Sequence, residues 1–162
     1  MGINIRHESN SDELTVALKN LEGKVGKVGW FENSLYEDGT PVASIAVQQE
    51  YGDASHGIPR RPFMRPTVIS KQLEWQKVAE RGAKAILIGK ADANSVMEAI
   101  GVTARGDIQK AIANVFSPPL SPRTIQARLH RKVGKKTIGA LDKPLIDTGI
   151  MFDTIINVVE NE

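Results

Sequence analysis

Residues 94–115, NSVMEAIGVTARGDIQKAIANV, decide the fold class of this chain. Their apolar side chains recur every three to four residues, which places them in one stripe along an α-helix of about six turns. Glu98, Arg105 and Gln109 fall on the opposite side of that helix. The stripe consists of Met97, Ile100, Ala104, Ile108, Ala111 and Val115. The pattern predicts a long amphipathic helix that stops at the prolines of Ser117-Pro118-Pro119.

A second long helix is predicted on the N-terminal side, beginning at Thr67. Its apolar residues Val68, Trp75, Ala79 and Ile86 fall near one line along the helix. Gly82 lies on the same line, where the missing side chain either lets another helix approach or only weakens the turn.

Shorter helices and strands are predicted before and after these two helices in the sequence. Thr40-Pro41 is typical of a helix start, and that helix is expected to end near Tyr51-Gly52. Further helices are expected over residues 10–21, over 123–132 and just after residue 149, and strands over residues 3–6, 25–31 and 155–159. The sequence predicts one α+β domain over residues 1–162, with a small antiparallel or mixed sheet of about three to four strands packed with several helices.

Composition and charge narrow the functional classes. The 162 residues include no cysteine, which excludes thiolate zinc sites, iron–sulfur clusters and catalytic thiols. The longest apolar runs are too short to span a membrane, so no membrane partner is expected. Net charge is −5 over residues 1–58, +11 over residues 59–143 and −4 over residues 144–162. This separation favours either a nucleic-acid surface or complementary patches on neighbouring copies.

Two segments of the chain are expected to be interaction appendages. The first is the Pro-rich loop over residues 52–66, and the second is the basic helix and loop over residues 121–143, with Ile125 and Leu129 as its core candidates. The basic side chains expected to face DNA or an acidic partner are Arg123, Arg128, Arg131, Lys132, Lys135 and Lys136. This cluster has no aromatic residue to stack on bases, so an acidic neighbouring protein is the preferred partner. The alternatives are nucleic-acid contact and a solvated face whose charges are screened by salt.

Motifs for catalysis and metal binding are weak. His7, His56 and His130 lack the spacing of a metal site, and no cofactor is expected. Asp147-Thr148-Gly149 is similar to the active-site loop of aspartic proteases, in which two carboxylates share one proton. The motif lies near the C-terminus and is followed by Ile150-Met151, so the preferred interpretation is that Asp147 caps a short helix and Gly149 permits a tight entry.

Two stretches of the chain resemble the neck and tail-completion (virion morphogenesis) proteins of tailed bacteriophages. In the first, Val42–Gly52 runs into Ile58–Pro66, so that a helix with an acidic-aromatic-Gly end meets a Pro-x-Arg-Pro-Phe-x-Arg-Pro loop. In the second, Pro119–Ile125 is followed by Lys143–Gly149, at the order and separation typical of that family. Together the stretches cover roughly residues 24–159.

The resemblance implies a virion structural protein rather than an enzyme. It implies a homo-oligomeric ring, with six copies as one arrangement, that joins head to tail at the neck or upper tail end after synthesis in the host cytoplasm. The implied partners are other neck, connector and tail-tube proteins, and packaged DNA in the ring lumen. The alternatives are a tail terminator ring that caps the tail tube and a sequence-independent nucleic-acid-binding protein.

The Pro-rich loop is the predicted contact element of such a ring. Proline restricts the backbone before docking, so less entropy is lost when a neighbour binds. Arginine and aromatic residues are also enriched among the side chains that dominate interface energies. The predicted interface residues are Arg60, Arg61, Pro62, Phe63 and Arg65.

Overall fold

In the computed structural model, the described residues are 15–16, 19 and 22–161. They form an α+β fold in which two long helices are central, as the sequence predicts. The elements from residue 22 onward are β1 (Lys24–Gly29), α1 (Val42–Tyr51), α2 (Met64–Leu87), α3 (Ala93–Asn114), α4 (Pro122–Leu129), α5 (Ile150–Asp153) and β2 (Ile156–Asn161).

The sheet joins the two ends of the described chain. β1 and β2 pair antiparallel, with Lys24 opposite Asn161 and Gly29 opposite Ile156. Within residues 22–161 this sheet has two strands, so the expected three to four strands are not confirmed. The strand predicted over residues 3–6 lies outside the described residues, as does most of the helix predicted over 10–21, of which residues 15, 16 and 19 are described and helical.

Helix α3 is buried on two sides because it lies between α2 and the sheet. A Cβ atom on Gly82 of α2 would overlap the Val96 side chain of α3, so the glycine permits this close approach. On the opposite side, a Cβ atom on Gly101 would lie 2.8 Å from Cβ of Asn157 in β2. Burial therefore extends beyond the predicted stripe, and it includes Ile112.

The main core fills the space between α1, α3 and the C-terminal segment. Phe63 is only 2% exposed, and its ring meets Trp30 edge to face with the ring centroids 5.9 Å apart. The indole nitrogen Nε1 of Trp30 donates to the Met151 carbonyl at 2.9 Å, so its polar end is also satisfied. The buried members are Val42, Ala46, Phe63, Ile108, Ile112, Leu145, Ile150, Met151 and Ile155.

Helix α2 differs from its prediction in its start and at one position of its inward face. It begins at Met64 rather than Thr67 because a carboxylate of α1 accepts its first N–H groups. Thr67 is buried while Val68 is 40% exposed, so Val68 does not belong to the inward stripe. The other predicted members, Trp75, Ala79 and Ile86, are at least partly buried as expected. In α3, Gln109 was expected on the solvent side, but its Nε2 donates to the Phe152 carbonyl at 2.9 Å.

Helix α4 begins as predicted and ends early. The Ser121 side chain accepts a hydrogen bond from the Thr124 N–H at 3.1 Å, which caps the helix. The helix ends at Leu129 instead of residue 132, and Leu129 is exposed rather than part of the core. No helix among the described residues is long and apolar enough to cross a membrane.

Candidate functional site

The carboxylate of Glu50 organises the end of the Pro-rich loop. Glu50 lies in the last turn of α1 and is buried. Its Oε2 accepts from the backbone N–H of Phe63 at 2.7 Å and of Met64 at 2.9 Å. Its Oε1 accepts from both the N–H of Arg65 at 3.1 Å and the side-chain Nε at 3.0 Å. The N–H groups of the first turn have no acceptor within their own helix, so Glu50 caps α2 from another helix.

These hydrogen bonds keep Glu50 ionised. Burial alone would raise its pKa, because a charged carboxylate loses hydration there. The bonds from Met64, Phe63 and Arg65 outweigh burial and lower the pKa of Glu50 below its ordinary value of 4.5. The acidic residue of the acidic-aromatic-Gly step is therefore a structural anion.

Arg61 connects the Pro-rich loop to the α3–α4 connection. Its Nε donates to the Pro118 carbonyl at 2.7 Å and its Nη2 donates to the Pro119 carbonyl at 3.0 Å. Nη1 donates to Oε1 of Gln49 at 3.1 Å, which links the same guanidinium to α1. Burial lowers the pKa of Arg61, and the charge of Arg128 lowers it further. The guanidinium thus holds three segments together from inside the subunit.

The outer part of the Pro-rich loop is a tight turn closed by the paired backbones of Asp53 and Ile58. Gly52 has a φ of 75°, and a Cβ atom there would lie 3.0 Å from both the Arg60 nitrogen and the Ile58 carbonyl oxygen. Only glycine combines this conformation with so little space. The turn is therefore an ordered feature of the subunit.

Three polar side chains at the tip of this turn have the residue types of a catalytic triad but not its geometry. Asp53 Oδ1 accepts from the Ser55 hydroxyl at 2.5 Å, and Asp53 Oδ2 lies 2.6 Å from His56 Nδ1. The Ser55 hydroxyl lies 3.1 Å from the same ring nitrogen. A triad needs serine and aspartate on opposite ring nitrogens, so this imidazole does not relay a proton between them. The Ser55 hydroxyl and the His56 ring lower the pKa of Asp53 to about 2.

Arg128 is buried, although its basic neighbours in the sequence predict a cationic surface. Its Nη1 donates to the carbonyls of Leu141 at 3.0 Å, Lys143 at 2.7 Å and Ile146 at 3.2 Å. The segment over residues 141–146 therefore folds around one guanidinium. Burial lowers the pKa of Arg128, and the charge of Asp147, whose Oδ2 is 3.7 Å from Nε, opposes that shift.

Asp147 does not cap α5, contrary to the sequence interpretation. Its Oδ1 accepts from the Thr137 hydroxyl at 2.6 Å and its Oδ2 accepts from Nη2 of Arg131 at 2.5 Å. The N-cap of α5 is Gly149, whose φ of 81° confirms the tight entry through glycine. Burial would raise the pKa of Asp147, but the bonds from Arg131 and Thr137 lower it overall. Both oxygens of this carboxylate are thus engaged in holding the C-terminal segment.

A cavity of about 460 Å³ lies between the loop before α1, α1 itself and the segments around Arg128 and Asp147. Its size is within the range of small-ligand sites. Tyr36 lines one wall, where burial raises the pKa of its hydroxyl and the charges of Asp147 and Asp38 raise it further. The described residues that line the cavity include no serine, cysteine or histidine, although Gln49 and Lys135 reach it.

The structure separates the predicted interface residues into two groups. Arg61 and Phe63 are buried within their own subunit and offer no surface to a partner, so for these two the expected contact role is replaced by a structural one. Arg60, Pro62 and Arg65 are exposed, and for them the contact role stays a prediction.

The predicted basic cluster is divided in the same way. Arg128 is buried and Arg131 is half-buried against Asp147. The side chains on the surface are those of Arg123, Lys132, Lys135 and Lys136.

Sequence reasoning missed Glu50 and Gln49 as loop-organising residues. From the sequence, Glu50 is recognised only as the acidic residue of the acidic-aromatic-Gly end, and no structural role is predicted for it or for Gln49. The usable signal was a carboxylate in the last turn of a helix, where the helix dipole disfavours it unless donors from elsewhere compensate. Here those donors come 13 to 15 residues later in the chain.

No protein-family model matches this chain, and neither a curated protein nor a solved structure matches it. Within the described residues, no group of three or more His, Cys, Asp or Glu side chains has an arrangement that would hold a metal ion.

Proposed function

We propose that this chain is a structural subunit of a ring in the neck of a tailed bacteriophage, where it completes the tail and joins it to the head. In this function the protein binds copies of itself and other neck, connector and tail-tube proteins. It catalyses no reaction, and it belongs to the virion after synthesis in the host cytoplasm.

The observation that carries the proposal is the contact between the two stretches on which the resemblance depends. Arg61, in the first stretch, donates to the carbonyls of Pro118 and Pro119, where the second stretch begins. At the other end of the second stretch, Arg131 and Thr137 bind Asp147. The motif residues thus hold loops in place inside the subunit. Loops fixed in this way lose little entropy when they bind a partner protein. This favours a function in protein–protein binding.

The environment of Asp147 also favours a structural role over a catalytic one. The pKa of Asp147 is lowered, whereas an aspartic protease needs a carboxyl that shares a proton with a second one. We expect purified protein to cleave no peptide, so that Asp147→Asn has no protease activity to abolish. Peptide cleavage that Asp147→Asn eliminates would overturn the structural assignment.

Imaging of particles assembled without this protein tests the proposed position. A joining subunit predicts DNA-filled heads and finished tails that remain separate. Tails of uncontrolled length would instead identify a tail terminator ring, the alternative structural role for this chain. Complete and infectious particles would contradict both.

Direct DNA binding is a second candidate function, favoured by the exposed side chains of Arg123, Lys132, Lys135 and Lys136. Lysines and arginines that contact phosphate release counterions, so such binding weakens steeply with salt. Fluorescence anisotropy with a labelled duplex measures this dependence. The neck proposal expects weak binding by the isolated subunit, and tight binding that three Lys→Glu substitutions at 132, 135 and 136 abolish would favour the nucleic-acid function.

A further inference from the structure

One exposed strip on α1 and α2 has the composition of a binding surface. Ile69 and Leu73 are 71% and 67% exposed, and they face away from the side of α2 that packs on α3. Arg65 lies one turn before Ile69, and its guanidinium stacks on the exposed Tyr51 ring at 4.3 Å from the ring centroid. This surface, the α1–α2 strip, consists of Val47, Tyr51, Arg65, Ile69 and Leu73.

The centre of the α1–α2 strip is held rigid by buried groups. Arg65 Nε bonds to the Glu50 carboxylate at 3.0 Å, and the same carboxylate binds the first N–H groups of α2. The Arg65 side chain is therefore oriented before any partner arrives, which reduces the entropy lost on binding. Tyrosine and arginine are also the residue types that most often dominate binding energies.

The surroundings of the strip are cationic. Arg60 follows the turn next to Tyr51, and Lys77 lies one turn beyond Leu73 on α2. Glu74, the nearest acidic residue on α2, is already paired with Lys71 at 2.8 Å. An apolar surface with this border fits a partner that presents carboxylates around an apolar side chain.

Another part of the same chain has those properties. The acidic hairpin, residues 31–40, carries the exposed carboxylates of Glu32, Glu37 and Asp38 and no lysine or arginine. Its Leu35 is 48% exposed. Backbone bonds from Tyr36 N to Thr40 O at 2.9 Å and from Ser34 N to Phe31 O at 2.8 Å hold the hairpin in one shape. Oε2 of Glu37 also accepts a hydrogen bond from the Lys135 backbone N–H at 3.4 Å.

The strip and the hairpin of one subunit lie at opposite ends of α1. The hairpin leads into Val42, whereas Tyr51 is the last residue of that helix, about 14 Å further along its axis. Their apolar residues are thus placed to meet between two copies rather than within one. Contact between two different surfaces is heterologous, so repeated copies form a ring if the rotation closes.

We infer that the α1–α2 strip of one copy binds the acidic hairpin of the next copy of this chain. The inference rests on the self-association that the proposed function requires, and it names the surfaces that meet. Leu35 inserts against Ile69 and Leu73, and the hairpin carboxylates face the cationic border of the strip.

A mixing experiment with two full-length variants tests this contact. Leu73→Asp disables the strip and leaves the hairpin intact, whereas Leu35→Asp does the reverse. We expect each variant alone to self-associate at least about tenfold more weakly than the original chain. Mixed in equal amounts, they form a 1:1 complex of twice the 17.7 kDa subunit mass that grows no further, because only one intact strip and one intact hairpin remain.

Sedimentation velocity over a concentration series measures these masses, and circular dichroism verifies that the variants are folded. Ile69→Asp is a second strip variant and is expected to behave like Leu73→Asp. Leu87→Asp is the matched control, because Leu87 is also exposed on α2 but lies about 21 Å from Leu73 along the helix. It is expected to self-associate like the original chain.

Three outcomes would overturn the inference. The first is an original chain that stays monomeric at all concentrations, in which case the strip serves a different protein. The second is Leu35→Asp that self-associates normally, which would indicate strip-to-strip contact. The third is a mixture of folded variants without a 1:1 complex. A failure here leaves the particle-imaging result unaffected, so the contact surfaces and the neck function are tested separately.

Discussion

Replacing Glu50 by alanine should destabilise the subunit more than any other single carboxylate change on α1 or α2. The substitution removes the acceptor for the Phe63 and Met64 N–H groups, which lie 2.7 and 2.9 Å from Oε2. It also removes Oε1, the one acceptor that the backbone N–H and the side-chain Nε of Arg65 share. The first turn of α2 then has no cap, and the Phe63 N–H is left without a partner inside the protein.

The expected loss follows from these groups. The buried Phe63 N–H loses its partner at a cost of about 1–3 kcal/mol. The part-buried Met64 N–H loses its helix cap at a cost of about 1–2 kcal/mol. Arg65 contributes little because its side chain is half exposed and water replaces the carboxylate. Glu50→Ala should therefore cost about 2–5 kcal/mol, a large part of the roughly 5–15 kcal/mol that stabilises a typical domain.

Urea unfolding followed by circular dichroism measures this loss as a lower midpoint, by about 1–2 M, at an unchanged slope. Glu50→Gln should cost about half as much, because its single amide oxygen still accepts from Phe63 and Met64. Glu74→Ala is the matched control, since Glu74 is exposed on α2 and its pair with Lys71 should contribute less than about 1 kcal/mol.

The gap between the original chain and Glu50→Gln should narrow in acid. The pKa of Glu50 lies below its ordinary value of 4.5 in the folded state, so the folded chain binds this proton later than the unfolded chain does. The advantage is complete above pH 4.5 and is lost as pH falls through the folded pKa. A loss below about 1 kcal/mol for Glu50→Ala at neutral pH would show that the loop does not depend on this carboxylate.

Two further changes test the other buried contacts, each by thermal unfolding. Arg128→Met should destabilise by about 2–4 kcal/mol because four carbonyls over residues 141–146 lose their donor. Arg123→Met on the same helix should change stability by less than about 0.5 kcal/mol. Equal effects at the two positions would contradict the structural role of Arg128. Gly82→Ala should destabilise by about 1–3 kcal/mol because its Cβ overlaps Val96, and Val96→Ala should recover part of that loss. A Cβ atom at Gly106 in α3 would meet open space, so Gly106→Ala should stabilise by about 0.5–1 kcal/mol. A loss of stability in Gly106→Ala would show that space for the side chain does not explain the effect of Gly82→Ala.

Much of the fold was predictable because its signals are local. Helix α3 was visible in a stripe of apolar residues, and the cap of α4 was visible in Ser121-Pro122. Each signal depends on neighbours within about one turn of the chain. The inward face of α2 was predictable at Trp75, Ala79 and Ile86 but not in the first turn. There Thr67 is buried and Val68 is exposed.

The predicted contact loop shows the limit of such reasoning. The residue types around Phe63 favour a surface that binds partners, yet the same types also stabilise a core when acceptors are close. Phe63 meets Trp30, and Arg61 meets carbonyls 57 and 58 positions away in the chain. The sequence around residue 61 does not indicate that the carbonyls of Pro118 and Pro119 will lie next to Arg61 in the fold.

By itself, the sequence determined which segments from residue 22 onward form helices, the α+β class and the alternation of acidic and basic segments. These features depend on hydrogen bonds and apolar spacing between residues close in the chain. Only the tertiary structure decided that Glu50, Arg61 and Arg128 are internal and that Tyr51, Ile69 and Leu73 are not. Burial of a charge depends on whether distant groups supply its hydrogen bonds, and the folded chain alone brings those groups together.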